Sequence, residues 1–257
     1  MQDRLKHLLP DGAFWIVCAA GLSLSVSCFI DCIVEANELN GWTLVVGASA
    51  IALVLAWIIP ICRRGVLFID QVIPACLIVV GLLGLVLPLI PSGIMFGVMA
   101  AKLIAGIVLL IAWSLKPLPV VGFGQDAPSR DMLPKPLAYL AAYTAVTCLS
   151  FGLILQTYFP DFRSFDAGLG FAAGVIAAGL SVYVARVLMD ADKGMDVLTR
   201  FSLVALVIAW LVFLQPPFLD TALFLNGLGF GIFLYILLRL TTDLYRVFRL
   251  NAVFIFA

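Results

Sequence analysis

Residues 42–90 read WTLVVGASAIALVLAWIIPICRRGVLFIDQVIPACLIVVGLLGLVLPLI. Two long apolar runs, 42–62 and 66–90, are separated only by Arg63-Arg64-Gly65. A helix of about 20 apolar residues crosses roughly 30 Å of hydrocarbon. Each run is long enough, so the stretch reads as two membrane spans joined by a tight basic turn.

The pattern continues in both directions. Eight runs qualify as spans: 13–34, 42–62, 66–90, 93–115, 137–158, 167–189, 197–214 and 219–240. The chain is 64% hydrophobic and 12% charged, with a mean hydropathy of +1.17. Soluble domains carry about 25% charged residues. The composition therefore points to an all-α polytopic membrane protein with the lipid bilayer as its first partner. The net charge is zero, so no basic face recruits nucleic acid. The apolar run after the N-terminal MQDRLKHLLPDG has no small-residue cleavage site and reads as a retained helix.

Lys and Arg occupy alternate gaps. One set comprises Arg4, Lys6, Arg63, Arg64, Lys116, Arg130, Lys135, Arg186, Lys193, Arg200, Arg239, Arg246 and Arg249. The opposite gaps hold Arg163, with Asp31, Glu35, Glu38, Asp161, Asp166 and Asp220. Cytoplasmic loops are enriched in Lys and Arg. The N-terminus is therefore expected in the cytoplasm of a cell with a multi-pass inner-membrane protein, and eight crossings return the chain there. The Pro- and Gly-rich stretch 116–136, KPLPVVGFGQDAPSRDMLPKP, divides a first group of four spans (1–115) from a second (137–250). Residues 251–257, NAVFIFA, begin a further apolar run, read as a truncated ninth helix or as an interfacial tail.

Few residues offer chemistry. Lys102 lies inside the fourth run, where a charge is costly and usually faces a bundle interior or a watery cavity. It either lines a ligand cavity with Ser25 and Asn226 or snorkels to the interface. Asp70 is a further candidate. It sits near Arg64 in sequence and depth, and otherwise reads as an interfacial carboxylate beside the basic turn. At about 1.5 Å per residue, Asp70 and Lys102 fall at different depths and are not expected to touch. Asp31 and Glu35 share a helix face and read as a solvated outer rim. Cys28 and Cys32 are four apart, but the lone His7 lies at the other end, so no metal site is expected. Gly170/Gly174 and Gly227/Gly231 are G-x-x-x-G pairs, which let helices pack closely. No nucleophile–base set or phosphate loop appears, so no catalytic residue, enzyme activity or cofactor is expected.

Two resemblances follow from these residues. The turn PICRRGVLF (60–68) resembles a degenerate basic loop between the second and third helices of major facilitator transporters. It lacks the Gly and Asp that precede the arginines there. Residues 149–256 contain LSFGLILQ, a Gly-rich span, DVLTRF and LNGLGFGIFLYILLRLTTDLYRVFRLNAVF. This order is similar to the back half of the membrane domain of LuxR-type regulators, a twelve-helix, transporter-like domain ahead of a helix-turn-helix. The resemblance implies a one-component regulator whose membrane domain senses a small molecule. A secondary transporter of the major facilitator type for a small organic solute is the alternative, and both readings admit a homo-oligomer.

Overall fold

A computed structural model describes residues 14–34, 41–114, 138, 141–145, 147–149, 152, 165–189 and 191–248. Its long helices are α1 (Phe14–Val34), α2 (Gly41–Arg64), α3 (Val66–Val86), α4 (Ser92–Ser114), α5 (Phe165–Leu188), α6 (Ala191–Phe213) and α7 (Leu219–Phe248). All 7 are long and apolar enough to cross a membrane. Among the described residues there is no strand. Such a chain satisfies its backbone within each helix, as hydrocarbon requires.

The expected fifth span, 137–158, falls largely outside the described residues, although 141–145 and 147–149 are helical. The loop 116–136 and the run 251–257 also lie outside them. Several boundaries differ from the apolar runs, most of all in the last two helices. The last helix continues to Phe248 and the one before it starts at Ala191. Backbone hydrogen bonding extends a helix past its apolar stretch, so hydropathy marks the buried length and not the helix ends.

Gly65 makes the α2–α3 turn. Its φ of 105° is left-handed, which a side chain makes costly by about 1–2 kcal/mol. Its carbonyl accepts bonds from the Phe68 and Ile69 amides at 3.0 and 3.2 Å, which begins α3.

Side-chain packing fixes helix directions. Gly21 abuts Trp57 and Gly47 abuts Cys32, so α1 and α2 are antiparallel. Gly106 of α4 abuts Ser25, while the Cys28 thiol reaches the Met99 carbonyl at 3.4 Å, so α4 is also antiparallel to α1. Gly179 abuts Pro74, and Gly81 abuts Ala172 and Ile176, so α5 runs against α3. It follows that α4 and α5 run in the same direction. An eight-span chain requires this of its fourth and sixth spans.

α5 and α7 run parallel at backbone contact. A β-carbon at Gly170 would lie 2.8 Å from the Asp220 carbonyl oxygen, and one at Gly227 2.5 Å from that of Phe171. Gly174 meets the Phe224 carbonyl, and Gly231 meets the Ala178 β-carbon. Lipid tails are as apolar as side chains, so such close packing replaces the hydrophobic drive between membrane helices. α3 is the seam of the bundle. It packs on α1 and α2 on one side and on α5 and α7 on the other. Large apolar side chains remain exposed elsewhere, including Ile104, Val108 and Ile111 on α4 and Val204, Val207 and Leu211 on α6. Those faces suit lipid.

Gly174→Ala forces the α7 backbone away, whereas a β-carbon at Gly97 has nothing within 4 Å. Gly174→Ala should cost about 1–3 kcal/mol, the usual penalty of overpacking. Gly97→Ala should be near neutral. Unfolding of both variants in mixed micelles checks this, and equal effects would contradict the α5–α7 packing.

Candidate functional site

Asp70 lies one turn into α3, at the end of the bundle where α5 and α7 finish. Its side chain is buried. A carboxylate taken out of water needs compensation by donors or by opposite charge. Three groups compensate it. Arg186, in the last turn of α5, places Nη2 3.0 Å from Asp70 Oδ2. Arg239 of α7 places Nη1 3.2 and 3.4 Å from the two oxygens. Tyr235 Oη donates to Oδ1 at 2.7 Å and accepts from Arg239 Nη1 at 2.9 Å. Tyr235 and Arg239 are four apart and so share a face of α7. The cluster ties α3 to both α5 and α7.

The Asp70 reading is thus corrected. Asp70 is buried within the bundle rather than capping the basic turn. It is held by Arg186 and Arg239, from helices far along the chain. The Arg64 guanidinium instead lies over the Phe68 and Trp113 rings, 5.3 and 5.7 Å from their centroids.

A cavity of about 300 Å³ opens beside the cluster, between α3, α5, α6 and α7. Asp70, Arg186, Tyr235 and Arg239 supply its polar wall, and Val66, Leu67, Met195 and Leu198 much of its apolar wall. Small-molecule sites span roughly 300–1,000 Å³ and combine an apolar lining with a few placed polar groups. The cavity has that composition at the small end of the range.

Lys102 belongs to a separate site. Its Nζ lies 2.5 Å from Asp31 Oδ2 and donates to Ser27 Oγ at 2.8 Å. The side chains are 10% and 2% exposed. Asp31 is therefore not part of a solvated rim. The helical pitch turns it inward, where the Lys102 stem reaches it. Lys102 neither snorkels outward nor lines the cavity beside Asp70. Next to the pair, the Cys32 thiol lies 3.6 Å from the Met99 sulfur. Among the described residues no cluster of three His, Cys, Asp or Glu could hold a metal.

The remaining candidates are dispersed. Ser25 donates to the Gly21 carbonyl at 2.7 Å, within its own helix. Asn226 is fully buried in α7, and its amide has no hydrogen-bond partner among the described residues. Ser25, Asn226 and Lys102 do not line the cavity; Asp70 does. Arg63 ends α2 beside Arg64, and Arg246 lies in the last turns of α7, while Arg249 is outside the described residues. Arg186 and Arg239, counted as loop charges, and Tyr235 were missed as site residues. The spacing Tyr235-x-x-x-Arg239-x-x-x-Asp243 was the available signal, since it puts three polar groups on one face inside an apolar helix.

Comparison of the chain with known protein families, with curated proteins and with solved structures gives no match.

Removing one partner of a buried ion pair costs about 3–5 kcal/mol, whereas replacing both is often near neutral. Lys102→Met alone should destabilise strongly, and Asp31→Leu added to it should restore most of the loss. Chemical unfolding of the two variants measures this. A double variant less stable than Lys102→Met would contradict the pairing.

Proposed function

We propose that this chain is the ligand-sensing membrane domain of a one-component, LuxR-type regulator, with a major-facilitator-like bundle of eight spans and a cytoplasmic N-terminus. The observation behind this reading is the cavity beside Asp70. Its polar wall is the same set of ion pairs that joins α3 to α5 and α7. A solute that competes for those groups changes the link between the two helix groups. A ligand shifts a conformational equilibrium only through such differential contacts. The shared direction of α4 and α5, with helical residues between them, supports eight spans. The grouping of Arg64, Arg186 and Arg239 at one end of the bundle supports a cytoplasmic assignment of that end.

A second reading, a secondary transporter, draws on the Lys102–Asp31 pair. It is a second intramembrane ionic site, in the opposite half of the bundle. Ionisable groups at two depths suit a solute path through rocking halves.

Proteoliposomes separate the two readings. A solute that raises the thermal stability of the protein should not accumulate in loaded vesicles beyond the level of empty ones. Accumulation would contradict sensing and favour transport. The orientation predicts that Ser129→Cys, in 116–136, is labelled by an impermeant maleimide only after cells are opened. Labelling of intact cells would overturn it.

A further inference from the structure

We infer that the cavity beside Asp70 takes a small organic anion, with one carboxylate- or phosphate-type head on an apolar body. This rests on the reading of the cavity as a solute site. The charges of the wall do not balance. Two guanidinium groups, Arg186 and Arg239, face one carboxylate, Asp70. Asp243, one turn further along α7, acts on Arg239 through its charge but is not among the lining residues, so it offsets the excess without occupying the cavity wall.

The donors do not balance either. A guanidinium has five N–H donors in a planar fork. The ion pair of Arg186 uses Nη2, and the bonds of Arg239 use Nη1. The side chains are 16% and 11% exposed and line the cavity, which leaves their remaining N–H groups to solvent or to a ligand. Bidentate binding of carboxylate or phosphate is the strongest use of such a fork. A cation finds no such place, because Asp70 already accepts from three donors and no second carboxylate lines the cavity among the described residues. Val66, Leu67, Met195 and Leu198 give the apolar body its contact.

Asp70 then acts as the resident carboxylate with which the ligand competes. An incoming anion takes over part of the arginine forks and weakens the hold of α5 and α7 on α3. This gives the proposed sensor its chemical trigger. No covalent step is involved. A free carboxylic acid and an anionic lipid each present a head with a single negative charge.

The test uses the purified chain in a neutral detergent at fixed ionic strength. Thermal unfolding is followed with benzoate, benzamide, benzylammonium and short-chain phosphatidylglycerol. Benzoate should raise the midpoint, and benzamide and benzylammonium should not. The shift should disappear in Arg186→Gln and Arg239→Gln and grow in Asp70→Asn, which removes the competing carboxylate. Because these variants break ion pairs, Gly194→Leu is a second probe. A β-carbon there has its nearest neighbour at 3.5 Å, so the substitution adds volume to the cavity wall at a residue outside the ion pairs, and it should abolish the benzoate shift. A shift with phosphatidylglycerol alone, lost in Gly194→Leu, supports the anion and assigns the head to lipid. Equal shifts with benzoate and benzamide, or a larger one with benzylammonium, overturn the anion while leaving a solute site standing. No shift with any probe overturns both.

Discussion

The Asp70 carboxylate sits inside an apolar helix, and the arrangement of helices around it follows from the cost of leaving it there alone. Its side chain is shielded from water, so donors come from other helices. Arg186, Arg239 and Tyr235 supply them. Each comes from the second half of the chain, while Asp70 comes from the first. One electrostatic requirement therefore holds α3 against α5 and α7. The same rule places Asp31 beside Lys102, in the other half of the bundle.

Close packing supplies the second constraint. Between apolar helices in lipid there is little hydrophobic drive, so shape decides. The glycines of α5 and α7 bring the two backbones together in parallel. That approach places the last turn of α5 and the face of α7 with Tyr235 and Arg239 side by side, at the level of Asp70. The packing thus builds the arginine pair, and the arginine pair builds the cavity wall. A change in the wall is therefore also a change in how the helices are held.

Most of the bundle was legible in the sequence because bilayer thickness and helix rise set the length of an apolar run. The runs at 42–62 and 66–90 needed no further information. Lys102 stood out because a charge inside such a run is rare. Its partner was misread because distance from a span end does not reveal which way a side chain faces, and Asp31 looked like part of an exposed rim. For a related reason the sequence places Asp70 beside its neighbour Arg64 or at the interface, and not with Arg186 and Arg239. Long-range pairing depends on which helices adjoin, and a run of apolar residues does not encode that directly. Arg186 and Arg239 were read as loop charges because they lie near span ends, where positive charge is common. Both nevertheless lie within the helices, on the faces turned toward Asp70.

The most direct test of this account is a double-mutant cycle between Asp70→Asn and Arg239→Gln, read as unfolding free energy in mixed micelles. Residues in one ion-pair network couple by about 0.5–3 kcal/mol. The account predicts coupling within that range, with the double variant less damaged than the sum of the singles. Additive effects would show that Asp70 and Arg239 do not act together and would contradict the tie between α3 and α7.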